Sequence, residues 1–169
     1  MSEGIYTLAG AVVGGLIGVV GTVAAARLTG RDQREHWRRQ VRRDAYSTFI
    51  VRAGEALRVG RATHEAARVE EPGVMDAIKE LEGAVSQVEE AATLVALEGP
   101  EEIADVAANI YFRLDAWPRA LCTAYSGPVD RQDDAWERAR ISGDEAEDGL
   151  EEFTSLCRRL LDGEFSDRE

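Results

Sequence analysis

Chemistry in this chain would have to come from two histidines, His36 and His64, two cysteines, Cys122 and Cys157, and 32 acidic residues. A zinc protease needs HExxH on one helix and a di-iron bundle needs Glu-x-x-His pairs; neither spacing occurs around either histidine. His36 stands in an arginine block and His64 in a polar stretch, so both read as solvated side chains. Asp144-Glu145-Ala146-Glu147-Asp148-Gly149 opens like a calcium loop, but its third position is Ala146 and its twelfth is Ser155, where liganding oxygens are required. The six acids between Asp144 and Glu152 therefore read as a solvated helix face. No GxSxG elbow is present, and Cys122 and Cys157 fall in apolar register with no histidine nearby in sequence, as small packed thiols do. No G-x-G-x-x-G or GK[ST] loop occurs, and the single lysine is Lys79. These residues predict no catalytic centre, no metal and no cofactor: the chain reads as a non-enzymatic protein.

The elements that would carry such residues are set by charge and hydropathy. The formal net charge of −12 is unevenly distributed. Residues 27–68 hold 11 arginines against 5 acids, a net of +6, and residues 69–169 hold 9 basic residues against 26 acids, a net of −17. An acidic C-terminal part of that size repels phosphodiesters, so nucleic acid is not the expected partner. With 44% hydrophobic residues in regular patterns, the chain is too apolar to stay disordered.

Gly4 to Ala26 is a run of 23 residues without a charge. As a helix it would reach roughly 35 Å, enough to cross a hydrocarbon core of about 30 Å. A secretory signal peptide would carry its positive charge before the apolar run; here Glu3 precedes it and the basic cluster follows. Arg27, Arg31, Arg34, Arg38, Arg39, Arg42 and Arg43 come directly after. Arginines are retained on the cytoplasmic side, so this order predicts a single-pass protein of the inner (cytoplasmic) membrane, N-terminus outside and C-terminal part in the cytoplasm. Arg27, Arg31, Arg34 and Arg38 are the expected contacts to anionic headgroups. Gly10, Gly14, Gly18 and Gly21 form a small-residue stripe on one face of the span, the pattern through which membrane helices self-associate, so a homo-oligomer is expected. Trp37, roughly 16 Å along a helix from Ala26, is expected as the first core residue of the cytoplasmic part.

Beyond the span, period-two alternation is absent and helical periodicity dominates. A first helix is predicted from about Thr29 to Glu70, with the stripe Trp37, Val41, Ala45, Phe49, Ala53, Leu57, widened by Tyr46 and Ile50. Glu71-Pro72-Gly73 stops it. A second, Val74 to Glu98, carries a heptad seam of Val74, Ile78, Leu81, Val85, Val88, Ala92 and Val95. Gly99-Pro100 ends it and opens a third, with Ile103, Val106, Ile110, Leu114, Trp117 and Leu121, in which Pro118 predicts a kink or break near Ala116–Trp117. Ser126-Gly127-Pro128 leads to a fourth, Asp130 to Leu161, with Trp136, Ala139, Gly143, Ala146, Leu150, Phe153, Cys157 and Leu160 in heptad register. Its first half has a seam of small residues against which a partner helix can pack closely. The expected organisation is all-α: a transmembrane helix over 1–27, an antiparallel, coiled-coil-like four-helix bundle over 28–162, and a flexible tail over 163–169. A looser set of helices that completes its core only in an oligomer is the rival arrangement.

The N-terminal third resembles a broad class of uncharacterised actinobacterial single-pass membrane proteins. The likeness rests on the glycine-rich Gly10–Gly21, on Arg31–Arg43 with Trp37, and on Arg42-Arg43-Asp44-Ala45-Tyr46-Ser47-Thr48-Phe49 as an RRxAYxxF motif. Proteins of similar layout include plasmid-spread (KilB-like) and phage proteins. The resemblance implies architecture and host type, and carries no activity. Two functions are therefore expected: a membrane-bound helical bundle that self-assembles or docks a protein partner, or a mobile-element protein that perturbs or bridges membranes.

Overall fold

The computed structural model of the chain describes residues 37–161. The uncharged run, its four stripe glycines, Arg27, Arg31, Arg34, His36 and the tail lie outside them. The chain divides into two compact units, Met1–Gln40 and Val41–Glu169. The described residues of the first are the exposed, helical 37–40. The described residues of the second are helices and the turns between them. α1 covers 37–68 across the division, α2 Val74–Glu98, α3 Glu101–Ser126 and α4 Val129–Leu161, with no strand among the described residues. None of these helices is long and apolar enough to cross a membrane.

The breaks fall where the backbone demands them. At the end of α1, Glu70 takes a left-handed φ of 54°, and Glu71 N donates to Ala66 O at 3.0 Å, a Schellman-type closure that usually recruits glycine. Gly73, at φ 92°, then turns the chain so that its carbonyl accepts from Asp76 N at 2.9 Å and starts α2. Gly99 N closes α2 on Val95 O at 2.8 Å, and the Pro100 carbonyl accepts from Ile103 and Ala104 to launch α3. Gly127 N closes α3 on Thr123 O at 2.9 Å, and the Gln132 side chain returns to Gly127 O at 3.0 Å.

Such short links leave no path except antiparallel neighbours. Arg42 Nε donates to Glu98 O at 2.7 Å near the start of α1, Arg52 to Gln87 at 2.6 Å midway, and Thr63 Oγ1 lies 3.3 Å from Ala77 O near its end. Rising numbers on α1 therefore meet falling numbers on α2. The same holds between α1 and α4, where Tyr46 and Phe49 meet Phe153, Arg61 pairs with Glu147, and His64 meets Trp136. α3 and α4 register through Ile110 at Gly149, Arg113 with Glu145, and Trp117 at Gly143. The helices run up, down, up and down as one bundle.

Its core closes from this one chain. Phe49, Leu81, Val88, Val95, Leu114, Leu121 and Phe153 are fully buried. α2 keeps the expected seam except that Ala91 takes the buried place and Ala92 the flank. α3 buries Ala107 in place of Val106, and α4 buries Ala135 while Trp136 stands half-exposed beside it.

Two expectations are corrected here. Trp37 is 65% exposed and is no core residue. Burial on α1 begins at Ala45, and the α2–α3 turn meets α1 at Arg42. Pro118 does not break α3, which runs unbroken from Glu101 to Ser126. Proline removes one N–H from the ladder, but Trp117, Pro118 and Leu121 are all buried, and their packing holds the helix through that gap.

Trp117 is filled around by absence of side chain. A Cβ on Gly60 of α1 would stand 2.5 Å from its ring, and one on Gly143 of α4 would stand 2.8 Å from it. The thin seam anticipated on α4 thus receives α3, with the Trp117 indole seated at Gly143. Trp117 Nε1 and Tyr46 OH are buried with no hydrogen-bond partner, each an omission costing about 1–3 kcal/mol.

Candidate functional site

An open groove of about 850 Å³ lies at the end of the bundle where α1 and α3 finish and α4 begins. Its walls carry three rings, those of His64, Tyr125 and Trp136, with Arg68, Asp133 and Arg140 around them. Trp136, Glu137 and Arg140 follow Asp133 at helical spacing, so one stripe of α4 supplies that wall. The opposite wall exists because α1 places His64 and Arg68 one turn apart, just before the Glu70 turn.

His64 and Trp136 lie with ring centroids 5.5 Å apart and planes tilted by 59°. Burial of the imidazole pushes its pKa below the usual histidine value, and the Arg68 charge lowers it further, against opposing pulls from Glu65 and Asp144. His64 is thus a half-buried ring packed on an aromatic, not the solvated side chain its polar neighbourhood implies. Arg140 is held on both sides, by Glu137 through bonds of 3.0 and 2.8 Å and by Asp144 at 2.7 Å. That grip lowers the Glu137 carboxyl pKa. The groove therefore offers aromatic faces and mixed charge, with no nucleophile activated by a base.

The other residues singled out from the sequence do not gather there. Arg38 is exposed in the first unit, and the glycine stripe and Arg27, Arg31 and Arg34 lie outside the described residues. The acids of Asp144–Glu152 line the outer face of α4, where Glu145 pairs with Arg113 at 2.9 Å and Glu147 with Arg61. Among the described residues no group of three or more His, Cys, Asp or Glu side chains could hold a metal. Cys122 is half-buried, and Cys157 is buried among apolar groups that push its thiol pKa up to about 12, so it carries no thiolate near neutrality.

Sequence reasoning missed the groove itself. Its histidine and tryptophan are about seventy positions apart, and only the pairing of α1 with α4 makes them neighbours. No known family model, curated protein or solved structure matches this chain.

Proposed function

We propose that the protein is a non-enzymatic, single-pass membrane protein whose cytoplasmic helical bundle docks a protein partner at the membrane, with self-association through the span. The observation that carries this reading is the order of the N-terminal third: 23 uncharged residues, then seven arginines within residues 27–43. Support for docking comes from the bundle, whose core is complete within one chain and whose aromatic groove is left open. In this reading Arg27, Arg31, Arg34 and Arg38 contact anionic headgroups, and Gly10, Gly14, Gly18 and Gly21 bring protomers together.

Membrane fractionation with protease protection tests the topology. The full chain is expected in the membrane fraction, resisting alkaline extraction, with its C-terminal part shielded from protease added outside the cell. Recovery as a soluble monomer without detergent, or digestion of the C-terminal part from outside, overturns the reading. For the stripe, a Gly14→Ile, Gly18→Ile double variant is expected to lose self-association in detergent.

A further inference from the structure

We infer that the trough between α3 and α4 is a binding site for a phosphomonoester group, held by Arg113, Arg119 and Arg138 with the Ser142 hydroxyl. This inference stands apart from the membrane reading, because it uses only residues inside the bundle. Residues 69–169 carry nine basic side chains against 26 acids, yet three of the nine line one trough of about 350 Å³ that no carboxylate lines. Guanidinium groups gathered on one trough attract an anion that can join them.

The arrangement follows from helical spacing. Arg113, Arg119 and Thr123 lie along one face of α3, and the small Ala116 and Ala120 between them leave the floor open. Antiparallel pairing sets Arg138 and Ser142, one turn apart on α4, against that face. The arginines are lightly held. Arg113 reaches Glu145 at 2.9 Å and Arg119 reaches Asp115, but these are surface pairs with Arg113 45% and Arg119 67% exposed, and such pairs contribute little. Arg138 gives only its Nε, to the Asp134 backbone carbonyl at 3.2 Å. The guanidinium planes can therefore turn to a ligand at small cost, and their forked N–H groups match the oxygens of a phosphate.

Ser142 points to a ligand independently. It is only 7% exposed, lines the trough, and makes no hydrogen bond within the described residues. The helix threonines Thr48, Thr93, Thr123 and Thr154 all return their hydroxyls to the carbonyl four residues back. A hydroxyl left free of that bond and reachable from the trough is available to donate to an anion. Three forked guanidinium groups around one trough match the three terminal oxygens of a phosphomonoester better than the two of a carboxylate.

The test is titration of the detergent-solubilised full chain with glycerol 3-phosphate, and separately with micelles doped with phosphatidic acid, which presents the same group on a lipid. Saturable binding is expected, weakened about tenfold or more by Arg138→Gln and severalfold by Ser142→Ala, while Arg131→Gln, outside the trough, changes it less than twofold. Binding of glycerol 3-phosphate identifies a soluble ligand. Binding of the micelles alone, with the same loss in Arg138→Gln and Ser142→Ala, identifies a headgroup as the source. Ser142→Ala removes a hydroxyl that bonds no group of the protein and puts a better helix former in its place, so its thermal midpoint should not fall, which separates lost binding from lost folding. Binding of neither probe, or equal loss in Arg131→Gln and Arg138→Gln, overturns the proposal.

Discussion

The two halves of the core are filled on opposite principles. Toward the start of α1, large ring meets large ring: Phe49 and Phe153 have centroids 4.7 Å apart, and Tyr46 meets Phe153 edge-on at 6.0 Å. Toward the other end, the Trp117 indole lies on the bare backbone of Gly60 and Gly143. The first region is vulnerable to removal of atoms and the second to addition of them. Both are dense, and density alone does not tell which substitution a site fears.

Breaking the aromatic region has the largest expected effect. Phe153→Ala leaves a cavity that Tyr46 and Phe49 cannot fill, and a loss of about 3–5 kcal/mol is expected from urea unfolding followed by circular dichroism. Breaking the glycine region costs less: Gly143→Val drives a branched side chain into the indole, with an expected loss of about 1–3 kcal/mol. The contrast sharpens with Gly54→Ala, where an added Cβ meets nothing within 4 Å and the helix gains about 0.5–1 kcal/mol. The smallest effect concerns His64, at the rim of the glycine region. Its native pKa lies below the unfolded value of about 6.5, so within that window the unfolded chain binds the extra proton. Stability should be level above the window and fall as the pH drops through it. The fall should be shallower in His64→Gln, as read from thermal midpoints between about pH 7 and 5.

How far these features could be read in advance depends on their distance along the chain. α2 is bounded as Pro72-Gly73 and Gly99-Pro100 require, because punctuation is local. Its buried stripe differs only in the exchange of Ala91 for Ala92, since alanines on either side of a seam are nearly equivalent in hydropathy. Trp136 was legible as apolar but not as half-exposed, because α4 turns Ala135 inward there. Trp37 misled because a tryptophan in helical register looks like core wherever it falls, whereas burial on α1 begins only at Ala45. The face bearing Arg113, Arg119 and Thr123 is visible in the spacing of α3, but Arg138 and Ser142 join it only through the register of α4. His64 and Trp136 carry no mutual signal at all.

The contact of Phe49 with Phe153 also has a consequence in time. The two rings come from the first and last helices, roughly a hundred residues apart, and synthesis at about 5–20 residues per second separates their emergence from the ribosome by some 5–20 s. During that interval the side of α1 that meets α4 has no permanent cover, and the nascent chain must avoid wrong partners until its final helix arrives.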